Sequence, residues 1–348
     1  MIQSVSLENF RGIQHGQLDG LRALTILVGP NGCGKSSILE ALAIGATPLE
    51  ANPADVNARH RAAGPGPDSQ VISGNGLQPL RNAIAGVAKW RNRGVASHRN
   101  GAAESATAER WLLWKGAAEV TAQIGIKARG GASRTVVLTD GGQQLRAQIP
   151  FDRTPDFPAL PAIRSVRLLD GAGVSDGRPL HTLYTVAANS GVLPAAKEIV
   201  RECLPQISDF QILTDDQEKP YLTAIFTNRA VPVALIGDGA HALVRIALEL
   251  ASVGDGVVLL EEPEAHMHPA AIAQAAKAVL ASVRRGTQVI LTTHSLEFID
   301  RLVAEANGGD TDKMCLFRLK LTDGKLVSSR VEGKDVAFMR GEIGEDLR

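Results

Sequence analysis

Two kinds of apolar pattern divide this chain. Leu24–Val28 and Gly256–Leu260 are nearly continuous apolar runs and Thr287–Thr293 is apolar at its centre, which predicts short strands buried on both faces of a parallel sheet. Elsewhere apolar and polar positions alternate. Val5 and Leu7 alternate with Ser4, Ser6 and Glu8, with Ile2 one step out of register, predicting an edge or second-layer strand that leads into Glu8–Ile13. Glu119–Lys127, Arg134–Thr139 and Leu145–Ile149 also run close to period two, separated by Gly-rich turns, and predict an antiparallel sheet packed on the core. Ile163–Leu169 and Tyr221–Thr227 read as further strands. Helical spacing predicts helices over Lys35–Ile44, Pro194–Leu204, Ala240 to about Ala251, and about Ala270 to Arg284, the last with Ile272, Val279, Leu280 and Val283 facing inward. Between residues 51 and 107 periodicity is lost and Gly, Pro, Ala and Asn dominate, predicting an irregular insertion with one short helix at most. The succession of elements specifies an α/β fold with a parallel core and an additional antiparallel β layer.

The most informative chemistry lies between the Leu24–Val28 strand and the helix at Lys35. Gly29-Pro30-Asn31-Gly32-Cys33-Gly34-Lys35-Ser36 satisfies G-x-x-x-x-G-K-[ST] in full, followed by Ser37. Glycines at 29, 32 and 34 let successive backbone N–H groups point at phosphate oxygens, where a side chain would block the approach. Lys35 supplies a mobile cation for β- and γ-phosphates, the Ser36 hydroxyl suits Mg²⁺, and the helix start adds a positive dipole end. These residues predict a P-loop for ATP with Mg²⁺.

A matching acidic turn follows the Gly256–Leu260 run, as Glu261-Glu262-Pro263-Glu264. It is a Walker B pattern, expected on a strand next to the P-loop strand. Glu261 is assigned to the metal and Glu262 to general base or water orientation. The Thr287–Thr293 strand ends in His294-Ser295, and a right-handed parallel crossover puts His294 at the same sheet edge as Glu262. Gly237-Asp238-Gly239 introduces the helix at Ala240 and offers a second anion-binding helix start, suited to the nucleotide of a neighbouring subunit.

Composition narrows the partners. Lys plus Arg equals Asp plus Glu at 37 each, so no overall field draws the chain to nucleic acid or an anionic membrane. A local patch must serve instead: Lys89–Arg99 clusters cations around Trp90, readable as a nucleic-acid contact or as a solvated loop. Three scattered cysteines, one inside the P-loop, argue against a disulfide framework and for a reducing cytoplasm. No stretch offers the roughly 18 unbroken apolar residues of a membrane span, and the N-terminus lacks a signal-peptide core, so a soluble cytoplasmic protein is expected. Phe10 and Arg11 are candidates for adenine contact, although Phe10 reads more readily as ordinary core. His266 and His268 invite a metal reading, but two histidines at this spacing need further ligands.

In order along the chain, the P-loop, the Gly-Asp-Gly helix start, the Glu-Glu-Pro-Glu turn and the Thr-Thr-His-Ser strand end resemble the ABC-type ATPase heads of the RecF, SMC and OLD kind. Leu7–Ile13 and Glu262–Pro269 resemble the stand-alone AAA-family ATPases of that superfamily. The resemblance implies a single P-loop NTPase domain over 1–348, with an N-terminal lobe (1–160) and a C-terminal lobe (161–348). It implies ATP hydrolysis, an ATP-dependent head-to-tail homodimer, Glu262 and His294 as catalytic base and switch, and Gly237, Asp238 and Gly239 at the partner's γ-phosphate. A protein effector such as a nuclease, DNA as a further partner, and roles in DNA maintenance or antiphage defence follow from the same resemblance.

Departures are visible too. Glu261 stands where the family usually carries Asp, Gly237 or its neighbour replaces a serine, and the Q-loop glutamine has only Gln70 and Gln123 as candidates. No heptad region and no room for a C-terminal Toprim nuclease are apparent. Two other functions compete: a transporter ATPase, disfavoured by the lack of Leu-Ser-Gly-Gly-Gln, and a nucleotide-sensing scaffold with little turnover.

Overall fold

The computed structural model describes residues 1–48, 78–92, 112–113, 121–140, 145–148, 165–170 and 178–348. In chain order its strands begin with β1 (Ile2–Phe10), β2 (Ile13–Asp19) and β3 (Leu24–Val28), followed by helices α1 (Lys35–Gly45) and α2 (Gln78–Asn92). Next come β4 (Thr121–Ala128), β5 (Ser133–Asp140), β6 (Leu145–Gln148), β7 (Val166–Asp170), α3 (Leu180–Asn189), α4 (Leu193–Cys203), β8 (Asp209–Thr214), β9 (Pro220–Phe226) and β10 (Arg229–Pro232). The last third holds α5 (Asp238–Ser252), β11 (Val257–Glu261), α6 (Pro269–Arg284), β12 (Gln288–Thr292), α7 (Leu296–Glu305), β13 (Met314–Thr322) and β14 (Lys325–Glu332). The chain forms two compact units: Met1–Leu21, Asn31–Val166 and Leu319–Ser328 make the first, and Arg22–Pro30, Arg167–Arg318 and Ser329–Arg348 the second.

In the first unit the strands are hydrogen-bonded in the order β6-β5-β4-β1-β2, each neighbouring pair antiparallel, with Lys325 of β14 pairing parallel to His15. Alternation sets the faces: Val5, Leu7, Ala122, Ile124 and Ile126 are buried while Ser6, Glu8 and Gln123 face water. Helix α1 packs on β1, β4 and β5, so the antiparallel sheet does lie against the P-loop helix. Two corrections apply. β1 is not an edge strand but sits between β2 and β4, and Ile2 stands out of register because the β1–β4 pairing shifts between Ile2 and Ser4. In the insertion, α2 is a regular 15-residue helix packed on α1.

The second unit carries the parallel core, in the order β13-β3-β12-β11-β7. The β13–β3, β3–β12 and β12–β11 pairings are all parallel, and β3 and β12 are buried at every position, as strands covered on both faces must be. Here too the sequence expectation needs correcting. β11, the Walker B strand, is not next to β3; β12 lies between them. A separate three-stranded sheet, β10-β9-β8, packs with α3, α4 and α5 around Leu183, Phe210, Ala224 and Val244. Among the described residues, no helix is long and apolar enough to cross a membrane.

Candidate functional site

The P-loop turns through three left-handed glycines, Gly29 (φ 142°), Gly32 (φ 78°) and Gly34 (φ 95°), the conformation that L side chains avoid. A Cβ at Gly32 would meet nothing within 4 Å, whereas one at Gly34 would come 3.1 Å from Ile13 Cδ1, so the loop is open on one side and packed on the other. Gly34 caps α1 without any side-chain hydrogen bond, and the first turn of α1 holds no acidic residue. The N–H groups of that turn therefore face no carboxylate of their own, and the donor set fits an anion. Lys35 is buried, 6% exposed, with Nζ 3.9 Å from Cys33 Sγ. Gly29 and Pro30 belong to the second unit, and Asn31–Ser37 to the first. ATP phosphates suit these donors. A serine hydroxyl such as that of Ser36, and separately a carboxylate such as that of Glu261, are the hard oxygen donors that Mg²⁺ prefers.

In the second unit, β11 and β12 run in register with Glu261 opposite Thr292. The next residue, Glu262, adopts a left-handed φ of 46° while its N–H still donates to Thr292 O at 3.0 Å. A left-handed non-glycine residue costs about 1–2 kcal/mol, and such strain gathers at functional turns. His294, two residues beyond Thr292, brings its Nε2 to 3.3 Å from Glu262 Oε1, and both side chains remain partly exposed. Glu262 and His294 thus meet, as the crossover argument requires. Two participants escaped the sequence reading. Thr293 Oγ1 donates to Glu264 Oε1 at 2.5 Å, and His294 N–H donates to the same oxygen at 3.3 Å. The repeated carboxylate in Glu-Pro-Glu and the hydroxyl before the histidine were the available signals. Burial pushes the Glu264 carboxyl above the usual carboxylate range.

The signature helix starts earlier than its spacing suggests, at Asp238 with Gly237 (φ 99°) as its cap. Gly237 and Asp238 are exposed. Gly239 is not open: a Cβ there would lie 2.8 Å from His266 O, so the helix start packs on the Glu262–His268 turn of its own chain. His266 is exposed with a left-handed φ of 62°, and His268 caps α6 by accepting from Ala270 N–H at 3.3 Å.

Of the adenine candidates, Phe10 is fully buried core. Arg11 forms a bidentate pair with the buried Glu40 of α1, at 2.5 Å and 2.7 Å, which commits its guanidinium to holding the P-loop helix. Gln123 is an exposed β4 residue opposite Glu8, while Gln70 lies outside the described residues. Lys89–Asn92 end α2 and the rest of the Lys89–Arg99 cluster lies outside the described residues.

Comparison with known proteins agrees with this arrangement. Residues 197–300 match the family described as "AAA domain, putative AbiEii toxin, Type IV TA system", and residues 1–57 match the AAA ATPase domain. Uncharacterized protein MJECL11 of Methanocaldococcus jannaschii is 33% identical over 115 residues, 32% of this chain and 99% of that protein. An ATP/GTP phosphatase of Helicobacter pylori is 48% identical over 42 residues, 12% of this chain and only 11% of that protein. Among solved structures, the fold matches an SMC head bound to the C-terminal winged-helix domain of ScpA (TM-score 0.52, 14% identity, 95% of this chain and 98% of that one). It also matches an SMC head with an extended coiled coil bound to the C-terminal domain of ScpA derived from Pyrococcus furiosus (TM-score 0.53, 12% identity, 99% of each chain). With AAA ATPase-domain matches at both ends and the fold of an SMC head over nearly its whole length, the chain is an AAA-type ATPase domain with the fold of the ABC-type ATPase heads.

Proposed function

We propose that this chain binds and hydrolyses ATP and dimerises head to tail when it does so, serving as a cytoplasmic switch for a protein effector in DNA maintenance or antiphage defence. The observation that carries the reading is the Glu262–His294 pair, 3.3 Å apart at the ends of two parallel strands. Glu262 accepts a proton from water as it attacks the γ-phosphate, and His294 orients Glu262 and senses whether that phosphate is present. The glycine turn from Gly29 to Ser37 and the Lys35 ammonium bind the phosphates. Ser36 and Glu261 are the residues that would hold Mg²⁺, which would supply charge neutralisation to the phosphates. Gly237 and Asp238 at the start of α5 close on the nucleotide of a second copy, because both residues are exposed and no side chain caps that helix start, while the same chain's phosphates are already served by its own P-loop.

The SMC heads named above are bound to a ScpA domain, which supports a protein as the effector here; a nuclease and DNA are the partners we assign by resemblance. ATP turnover by purified protein tests the reading. Wild type should release phosphate and Lys35→Ala should neither bind nor hydrolyse ATP; a folded Lys35→Ala chain with unchanged ATP affinity would refute the P-loop assignment, and absent turnover in wild type would favour a nucleotide-sensing scaffold.

A further inference from the structure

One carboxylate in the Walker B turn has no role in the scheme above. Glu264 follows Pro263 and reaches the loop after β12, where a single oxygen, Oε1, accepts from both Thr293 Oγ1 (2.5 Å) and His294 N–H (3.3 Å). Its second oxygen, Oε2, is buried and has no hydrogen-bond partner. The Thr293 hydroxyl, itself fully buried, also accepts from Ser295 N–H at 2.9 Å, and the Ser295 side chain accepts from Phe298 N–H at 3.1 Å to cap α7. A line of hydrogen bonds therefore runs from Glu264 to the start of the helix that follows the histidine. Leaving a carboxylate oxygen buried and unsatisfied is unfavourable, so the arrangement is not explained as stabilisation of the turn. It does fix the histidine. The backbone of His294 is held by Glu264 at one end while its ring meets Glu262 at the other, and both contacts originate from the same left-handed turn.

We propose that Glu264 is a positioning residue: by accepting from Thr293 and from His294 N–H, it sets the height of the histidine loop so that the imidazole meets Glu262. The proposal rests on the reading of Glu262 and His294 as the reacting pair. Its chemistry needs an acceptor at Oε1 and not a negative charge. Glutamine should therefore serve where alanine fails, since an amide carbonyl accepts both bonds and its NH₂ occupies the place of the unpartnered Oε2.

The test uses the full chain with ¹⁵N-labelled histidine, the His294 ring signals being those lost in His294→Asn. Glu262→Gln, by changing the group beside the ring, should shift the His294 signals in an otherwise wild-type chain. In Glu264→Ala that shift should fall to less than about half, and in Glu264→Gln it should return, as expected for residues coupled through a shared loop. In parallel, Glu264→Ala should lower kcat by about 10- to 100-fold with KM for ATP changed by less than about two-fold, and Glu264→Gln should restore most of kcat. Thr293→Val removes one of the two donors at similar volume and should weaken the coupling even where Glu264→Ala does not fold. An unaltered Glu262→Gln shift in Glu264→Ala and Thr293→Val, or a Glu264→Gln chain as impaired as Glu264→Ala, would overturn the proposal. A wild-type chain that hydrolyses no ATP would instead defeat the ATPase reading, and the ring-signal test would still decide the role of Glu264.

Discussion

His294 Nε2 lies 3.3 Å from Glu262 Oε1 because β11 and β12 are parallel and pair Glu261 with Thr292, so each strand ends at the same height and releases its next polar side chains at one edge. In the proposed function this contact is what would let a base and its orienting group act together. Glu262→Gln should retain ATP binding but lose about 10²-fold or more in turnover, the scale of a positioned general base. Equilibrium binding and phosphate release measured on one preparation check this, and turnover within about three-fold of wild type would place the base elsewhere.

The composite-site model predicts complementation. Gly239 is unsuitable for the test, since a Cβ there strikes His266 O at 2.8 Å and would disturb the turn itself. Asp238 is exposed in the first turn of α5, and Asp238→Trp covers the helix N–H groups without demanding a left-handed backbone. This variant should bind ATP as wild type yet fail to hydrolyse it. Mixed with Lys35→Ala, it forms dimers with one site carrying both defects and one carrying neither, so partial turnover should return. A mixture that stays inactive while wild-type subunits exchange, or Asp238→Trp that turns over normally alone, would exclude a shared site.

Much of the parallel core was legible because buried parallel strands are written as short apolar runs ending in polar residues: β3, β11 and β12 lie within a residue of their expected limits. Their lateral order was not legible, because any of the three runs fits either side of another; placing β11 beside β3 was an assumption that the β12 strand corrects. Strands such as β2, with two apolar residues in seven, and β8, whose Ile212 and Leu213 are exposed side by side, carry too weak a period to stand out. At the site, residue types conveyed chemistry but not aim. Arg11 offered a cation near the P-loop, yet only the packing reveals that Glu40 engages it, and Glu264 carries the same carboxyl group as Glu262 with a different set of contacts.

The Arg11–Glu40 pair should matter for stability. Glu40 is fully buried on α1, so Arg11→Ala leaves its carboxylate without the bidentate cation, a loss on the order of 3 kcal/mol. Urea unfolding should show this, and Arg11→Ala combined with Glu40→Leu should recover most of it. A single variant as stable as wild type would mean that the pair is energetically idle.

Asp310 provides a pH-dependent contribution. The Arg284 guanidinium, with Nη2 2.7 Å away, and the Asn307 N–H at 3.0 Å hold its carboxyl below the usual range. Because the folded pKa is depressed, its stabilisation is present above the unfolded value of about 4 and is lost as pH falls through the folded one. Asp310→Asn should therefore cost on the order of 2 kcal/mol at pH 7 and progressively less below pH about 4. A penalty that stays constant down to the acid transition would show that charge is not its source.

The central claim is that two chains enclose ATP between the P-loop of one and the α5 start of the other. Glu262→Gln purified with Mg²⁺ and ATP, sized by light scattering with its bound nucleotide quantified, tests this most directly. The account predicts a stable dimer carrying two ATP molecules that returns to monomer when Lys35→Ala or Asp238→Trp is added; Glu262→Gln that holds ATP tightly yet remains a monomer at every protein concentration would contradict it.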